Sequence, residues 1–500
     1  MTERNGANLG KIHFNPVRPD ARAGDFSIQP GKIKIDKASF PADIGTLIVP
    51  ENRSKPSARL IALPVVRIHS RAPQPIEPIF WLEGGPGQSN FKARVPAWLL
   101  ADHDVVLVGY RGVDGSSVLE CPEIGQAFRG KGGDLLGPAS LANIARVVAE
   151  ASKRLQAEGV DLEGYTIPEV VQDLETARVA LGYDRIDLLS MSYGTRIAQI
   201  YAYLYPASLH RSAMISVNPP GHFVWEPSTI DAQLQYYARL WAQDPRQAQR
   251  TASLADALRQ VRRHMPRRWL LFPIDPGKVR LIAFAMLFHR GSAPRVFDAY
   301  LAAAQGDSSG LWLMSAASDF VLPKMLTWGD LFAKGSSADY DPSRNYAREL
   351  DPPESILGSP LALAIWGTAG KAWPAKLIPP ELRQPQPSDT PTLLVSGSVD
   401  FSTPAQFATQ ELLPFLTKGR QVIPREFGHV SDVFSLNPQA IERLLVSFLN
   451  TGEADDSLFT YTPMDFQASL GFPRLAKLIL GGCGVLLLAL LALIAYLVIR

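Results

Sequence analysis

The chain contains little cysteine, since only Cys121 and Cys483 occur in its 500 residues. Two cysteines cannot form a disulfide scaffold, and one lies in the globular part while the other lies in an apolar terminal run, which argues against a bridge. The same scarcity excludes a cysteine-rich zinc cluster. An excess of charge is also missing, because 50 Lys and Arg residues stand against 48 Asp and Glu, a formal net charge of +2. We therefore expect no nucleic-acid partner.

The N-terminus lacks the apolar h-region that a secretory signal peptide requires. Residues 1–11 read MTERNGANLGK, with no apolar stretch after the charges, so no export signal is predicted. Internal repeats are also absent from the sequence. What is present is the composition of a globular chain, with 46% hydrophobic and 20% charged residues.

One long hydrophobic run stands at the C-terminus. Residues 478–499 contain no charge, and about 22 residues rising about 1.5 Å each would cross a hydrocarbon core of about 30 Å. The run predicts a transmembrane helix over 474–500 that anchors the chain in a lipid bilayer, with a buried core helix as the alternative. Arg474 and Lys477 precede the run and only Arg500 follows it, which favours a cytoplasmic location for the preceding domain.

Short apolar runs and helical patterns alternate through the first half of the chain. Residues 41–72 predict antiparallel strands, and the βαβαβ order that follows predicts a mostly parallel sheet flanked by helices. Between about 218 and 387 the apolar residues recur at helical spacing, which predicts an inserted helical cap. The predicted parts are an N-terminal extension (1–40), a first core segment (41–219), a helical cap (220–387), a second core segment (388–452), a linker (453–473) and a transmembrane helix (474–500).

Ser192 lies at a predicted turn from a strand to a helix. Residues 186–194 read IDLLSMSYG, which approximates the motif G-x-S-x-G that exposes a nucleophilic serine at such a turn. The small flanking residues let the helix begin close above the strand, and the helix N-terminus favours developing negative charge. An ordinary serine-containing turn is the alternative. Ser190 is the weaker nucleophile, because residue 192 would then occupy a glycine position without being glycine.

A base and an acid can be selected by their order along the chain. Hydrolases with this motif place the serine first, then the acid, then a histidine after the last strand. Of the histidines beyond Ser192, only His429 follows a late strand, so it is the predicted base. Asp400 lies just beyond the preceding strand and could orient the imidazole. Asp389 precedes that strand and Asp432 follows the histidine, which makes both weaker candidates.

A glycine-rich loop follows an earlier strand. Residues 80–89 read FWLEGGPGQS, and the N–H groups of such a loop can point at a developing oxyanion. A phosphate cradle is the competing use, but neither G-x-x-x-x-G-K-[ST] nor G-x-G-x-x-G is present. We therefore predict that the backbones of Gly85 and Tyr193 donate to the oxyanion.

Several of these segments together resemble one known family. They are Gly84-Gly85-Pro86-Gly87-Gln88-Ser89, Tyr110-Arg111-Gly112, Ser192-Tyr193-Gly194-Thr195, Tyr205-Pro206, Asp400 with Thr403-Pro404, and Gly428-His429. Over residues 78–430 the chain resembles the proline iminopeptidase and tripeptidyl aminopeptidase branch of the α/β-hydrolases. The resemblance implies an α/β-hydrolase fold, a catalytic triad of serine, acid and histidine, and acidic residues near the cap that hold a free amino terminus.

Glu226 and Asp319 are the candidates for holding that amine, against the plain alternative of solvated surface acids. The chain also departs from the family, because Gly109 stands where the family's D-x-R-G has its aspartate. Arg111 therefore has no partner at that position.

The sequence thus predicts a membrane-anchored serine hydrolase that needs no metal or organic cofactor. Its expected substrate is a short peptide with a free N-terminus, from which it would release N-terminal residues or short peptides. An esterase acting on small or lipid-like acyl substrates is one alternative. A catalytically silent membrane-bound binding protein of the same fold is the other.

Overall fold

The computed structural model describes residues 12–130 and 133–482. Its strands are β1 (Phe26–Ile35), β2 (Ala38–Pro50), β3 (Leu60–Ile68), β4 (Ile76–Leu82), β5 (His103–Val108), β6 (Ile186–Met191), β7 (Leu209–Ile215), β8 (Arg268–Trp269), β9 (Phe272–Pro273), β10 (Thr392–Val395) and β11 (Gly419–Val422). Over the described residues, nine of these strands form one sheet in the order β1-β2-β3-β5-β4-β6-β7-β10-β11. The pairs from β1 to β5 are antiparallel and those from β5 to β11 are parallel. The predicted mostly parallel sheet is therefore confirmed.

Helices cover both faces of this sheet and fill the insertion between β7 and β10. They are α1 (Pro122–Ala127), α2 (Pro138–Ala157), α3 (Ile167–Ala180), α4 (Tyr193–Leu204), α5 (Pro227–Gln243), α6 (Pro245–Ala248), α7 (Leu254–Arg263), α8 (Pro276–Met286), α9 (Ala293–Ala304), α10 (Ser309–Val321), α11 (Trp328–Ala338), α12 (Tyr346–Glu349), α13 (Pro360–Trp366), α14 (Ala405–Phe407), α15 (Ser431–Ser435) and α16 (Pro438–Thr451). In α2, buried residues recur mostly every three or four positions from Leu141 to Leu155, so one stripe of the helix packs into the apolar core.

All six residues of the central strand β6 are buried, Asp187 and Ser190 included, because the sheet is covered on both sides. Leu188 packs into the core cluster that also contains Leu174 of α3, whereas its neighbour Leu189 packs into the cluster that contains Leu445 of α16. Alternate side chains of one strand thus serve two helical layers, as expected for a buried parallel strand.

The helices between β7 and β10 build an apolar core of their own. Trp241 of α5 packs edge-on against Phe297 of α9, with ring centres 6.1 Å apart. Phe284 of α8 makes a similar contact with Phe401, which follows β10. This second contact joins the core of the insertion to the end of the sheet where Asp400 lies.

Strand β1 was not predicted, because it falls inside the segment assigned to an N-terminal extension. It pairs with β2 antiparallel from Phe26 to Ile35. Pro30 and Gly31 interrupt its pattern, and both residue types are depleted in strands. They are tolerated here because β1 forms the edge of the sheet.

The predicted C-terminal transmembrane helix is contradicted. In residues 12–130 and 133–482, no helix has both the length and the apolar character needed to cross a membrane. The helical residues at this end, 472–482, begin as a surface helix on the insertion, since Ala476 is buried and Lys477 pairs with Asp307 at 2.7 Å. Residues 483–500, which include the rest of the predicted span, lie outside the described residues. The predicted membrane localisation and bilayer contact, and the cytoplasmic placement deduced from them, lose their support.

Candidate active site

Ser192 lies in a strained turn between β6 and α4. Its φ of 50° and ψ of −118° place a non-glycine residue where such residues are rare. The neighbouring glycine is required by space, because a Cβ on Gly194 would lie only 2.3 Å from the carbonyl oxygen of Leu82. Ser190, at the other glycine position of the motif, is fully buried and its hydroxyl donates to the carbonyl of Ala213 at 3.2 Å. Of the two serines, only Ser192 is partly exposed.

The structure brings Ser192 together with His429 and Asp400. The Nε2 atom of His429 lies 3.0 Å from Ser192 Oγ. The other ring nitrogen, Nδ1, lies 3.0 Å from both carboxylate oxygens of Asp400. With Nδ1–H donated to the carboxylate, Nε2 is left as an acceptor facing the hydroxyl, which is the tautomer that a general base requires.

Asp400 is held as a carboxylate at a fully buried position. Its oxygens accept the backbone N–H groups of Ser402 at 3.0 Å and Thr403 at 2.9 Å, and the Thr403 hydroxyl at 3.0 Å. Burial by itself raises the pKa of Asp400, but the charge and hydrogen bond of His429, together with the other donors, outweigh it and leave the pKa lowered. A charged acceptor is therefore available to His429.

The loop that carries His429 is fixed from two sides. The backbone N–H of His429 donates to the carbonyl of Phe288 at 2.7 Å, and the Phe288 ring meets the imidazole edge-on at 5.4 Å. The next N–H, that of Val430, donates to the hydroxyl of Ser216 at 2.9 Å. Asp432, the weaker acid candidate, instead accepts the N–H of Gly428 at 3.0 Å and so shapes the loop.

The glycine-rich loop lies directly against Ser192. A Cβ on Gly84 would be 2.8 Å from Ser192 Cβ and 3.6 Å from its Oγ. The next residue, Gly85, has a φ of +73°, which favours glycine. Tyr193 begins α4 immediately after Ser192, so its N–H belongs to the positive end of that helix. Of the two predicted oxyanion donors, Tyr193 thus follows the serine directly, and Gly85 follows the glycine that lies against it.

Arg111 forms an ion pair with Asp173 in place of the missing aspartate at position 109. It is fully buried, and its guanidinium donates to both carboxylate oxygens of Asp173 at 2.6 and 2.7 Å. An aspartate at position 109 would not fit, because a Cβ there would lie 2.8 Å from Asp114 Cβ and from Pro64 Cγ. The arginine therefore binds the middle of α3 without the family's aspartate.

The two predicted amine-binding acids are each paired with a cation of the chain. Glu226 binds Arg344 through two hydrogen bonds of 2.7 and 3.2 Å. Asp319 lies 2.5 Å from Lys278 Nζ. Any binding of a substrate amine by either acid would have to compete with these ion pairs, and their role stays a prediction.

The sequence analysis quoted Thr403 only as part of a motif and gave it no role, and it missed Ser216 and Phe288. Thr403 donates to Asp400 and its hydroxyl also lies 3.3 Å from His429 Nδ1. Its spacing of three residues after an aspartate is a turn pattern that could have revealed it. Ser216 and Phe288 act from segments far away in the chain, and no local pattern marks them.

Comparison with known proteins places most of the chain in one family. Residues 77–431 match the family described as alpha/beta hydrolase fold. The chain is 26% identical over 467 residues to a tripeptidyl aminopeptidase of Streptomyces lividans, covering 85% of this chain and 84% of that protein. A tripeptidyl aminopeptidase of Streptomyces coelicolor matches at the same identity, with 85% of this chain and 83% of that protein covered.

Among solved structures, one similar chain is the 2-hydroxy-6-oxo-6-phenylhexa-2,4-dienoate hydrolase of a Rhodococcus species. It is 12% identical, with a TM-score of 0.37, and the match covers 85% of this chain and 100% of that one.

Proposed function

Because this chain belongs to the alpha/beta hydrolase fold family, we propose that it is a serine hydrolase in which Ser192, His429 and Asp400 carry the reaction. The observation that carries this proposal is the hydrogen-bonded series from Asp400 through the imidazole to Ser192 Oγ, with 3.0 Å at each step. The order of the three residues along the chain also matches that of the family's hydrolases.

In the first half of the reaction, Ser192 Oγ attacks the carbonyl carbon of the substrate while His429 Nε2 accepts the hydroxyl proton. The buried carboxylate of Asp400 stabilises the imidazolium that forms. His429 then gives the proton to the leaving group as its bond to the acyl carbon breaks, which leaves an ester on Ser192. In the second half, His429 activates a water molecule that attacks this ester and restores the free serine.

The oxyanion of each tetrahedral intermediate would be held by backbone N–H groups of Gly85 and Tyr193. The contact of Gly84 with Ser192 keeps the loop next to the reacting carbon. Donors fixed in advance cost no reorganisation during the reaction, and losing one typically lowers kcat by about 10² to 10³. The two N–H groups would therefore contribute a large share of the proposed rate enhancement.

We propose peptides with a free amino terminus as the substrates. The support is the match to two tripeptidyl aminopeptidases, which extends over 85% of the chain and must therefore include part of the insertion as well as the sheet. On this proposal the enzyme releases tripeptides or other short pieces from the N-terminus.

A substrate panel on the full chain tests the proposal. We expect turnover of a tripeptidyl p-nitroanilide, and a large loss when the same peptide is N-acetylated. Hydrolysis of p-nitrophenyl butyrate alone would contradict the peptidase assignment and favour the esterase. No turnover of either class would favour a binding protein.

Two serine variants assign the nucleophile. Ser192→Ala should abolish turnover. Ser190→Ala is the matched control, because it removes a hydroxyl only two residues away that is bonded to Ala213, and it should keep kcat within about threefold. Full activity in Ser192→Ala would refute the proposed chemistry.

A further inference from the structure

A buried ion pair of the insertion contacts the glycine-rich loop. Lys334 Nζ and Asp330 Oδ1, one turn apart on α11, lie 2.6 Å apart with both side chains fully buried. A buried pair stabilises a fold only weakly, because the loss of hydration offsets the attraction. A gain in stability therefore does not explain why this ion pair lies beside the loop.

Asp330 binds the loop through Gly87. The N–H of Gly87 donates to Asp330 Oδ2 at 2.8 Å, while the carbonyl of Gly87 accepts the N–H of Thr327 at 2.8 Å. Both backbone polar groups of Gly87 are thus held by the start of α11. The contact leaves no room for a side chain, since a Cβ on Gly87 would lie 2.7 Å from the Thr327 carbonyl oxygen.

Lys334 reaches the other end of the loop and the serine turn. Its ammonium donates to the carbonyl of Arg111 at 3.1 Å and lies 5.5 Å from the centre of the Tyr110 ring. The Tyr110 hydroxyl in turn donates to the carbonyl of Glu83, the residue before Gly84. The same ammonium lies 5.9 Å from the ring of Tyr193.

We propose that Asp330 is a positioning residue, which with Lys334 as its counter-ion holds the loop of Gly85 at the spacing from the turn of Tyr193 that an oxyanion requires. This inference rests on the proposed function, because it concerns the two donors named there. It assigns to α11 a role in catalysis without contact with the substrate. The rate of acylation then depends on how the insertion is docked, because α11 is part of it.

Two double variants separate positioning from the effect of removing buried charge. Asp330→Asn with Lys334→Met removes both charges but keeps an oxygen that can accept the Gly87 N–H. Asp330→Leu with Lys334→Met removes the charges and that acceptor. We expect the first to keep kcat within about fivefold of wild type. The second should lose about 10- to 100-fold in kcat, with KM changed less than about twofold, which is smaller than the loss of a whole donor.

Asp351→Asn serves as a control for general destabilisation of the insertion. Asp351 accepts hydrogen bonds from Arg262 and Arg280, so its loss should lower the Tm while kcat stays within about threefold. The readouts are kcat and KM on the tripeptidyl p-nitroanilide, the rate of fluorophosphonate labelling and the Tm. Equal kcat values in the two double variants would overturn the inference.

Two more variants, Thr327→Pro and Ser192→Ala, separate a failure of the positioning role from a failure of the proposed function. If Asp330→Leu with Lys334→Met does not fold, Thr327→Pro removes the N–H donated to Gly87 at a φ of −75° that proline accepts. It should show the same loss in kcat, and unchanged kcat would refute the positioning role. Failure of Ser192→Ala to abolish activity would instead refute the proposed function itself.

Discussion

The replacement of Asp400 by asparagine tests the coupling between the acid and the base. One oxygen of the amide can still accept the N–H groups of Ser402 and Thr403. The amide nitrogen is a donor, and it replaces one of the two oxygens that lie 3.0 Å from His429 Nδ1. With this NH₂ group facing Nδ1, the imidazole accepts at Nδ1 and carries its proton on Nε2, where it faces the Ser192 hydroxyl and cannot take a proton from it.

The expected cost follows from this wrong tautomer. In serine hydrolases with this arrangement the same change lowers kcat by about 10⁴, which corresponds to about 5 kcal/mol of transition-state stabilisation. The fold should tolerate the change, because the side chain keeps its shape and its backbone donors.

The assay is kcat on a tripeptidyl p-nitroanilide, with Asp432→Asn as the matched control. Asp432 is also a buried carboxylate beside His429. Its Oδ2 accepts the backbone N–H groups of Gly428 and Arg290, and its Oδ1 lies 3.8 Å from His289 Nδ1. An asparagine oxygen can accept both, so we expect a loss of less than about tenfold. More than a tenth of wild-type kcat in Asp400→Asn would refute the reasoning. A larger loss in Asp432→Asn would move the acid to that residue.

Three further predictions concern packing and pH. Gly194→Ala should lower kcat by about 10²-fold, because its Cβ would lie 2.3 Å from the Leu82 carbonyl oxygen and displace the serine turn; unchanged kinetics would contradict this. Arg111→Met should lower the free energy of unfolding in urea by about 3–5 kcal/mol, since Asp173 loses a buried partner; a loss under about 1 kcal/mol would contradict it. The lowered folded-state pKa of Asp400 stabilises the fold above the ordinary aspartate pKa, so the stability advantage of wild type over Asp400→Asn should shrink as pH falls from about 6 to about 3. A constant difference in unfolding free energy across that range would contradict the last prediction.

Much of the sheet could be predicted because its pattern is local. The run IDLLSM of β6 is apolar enough to be a strand covered on both faces, and the helix after it begins at the small residues around Ser192. Chain order then selects His429, because it is the histidine that follows a late strand. The meeting of these residues with Asp400 agrees with that reasoning, while their chemistry stays a prediction.

Pairings between distant segments could not be predicted. The partner of Glu226 is Arg344, which lies 118 residues further along the chain. The sequence around neither residue indicates that the two are paired. The buried pair of Asp330 and Lys334 has the spacing of an ordinary exposed helical pair, so the sequence gives no sign of its burial.

The C-terminal prediction failed for a different reason. An uncharged run of the right length satisfies the rule for a transmembrane helix, but the rule considers only the run itself. The residues just before it, from Pro473 to Lys477, pack on the insertion through Gly310 and Asp307. Contacts of this kind belong to the tertiary structure and do not enter a hydropathy rule.

The most direct test of the central claim is the site of covalent labelling by a fluorophosphonate. Such a reagent reacts with a serine whose hydroxyl is activated by a neighbouring base. We predict a single adduct on the peptide that contains Ser192, mapped by mass spectrometry, and no adduct in Ser192→Ala or after His429→Ala. An unlabelled wild-type protein, or an adduct that persists in Ser192→Ala, would contradict the account.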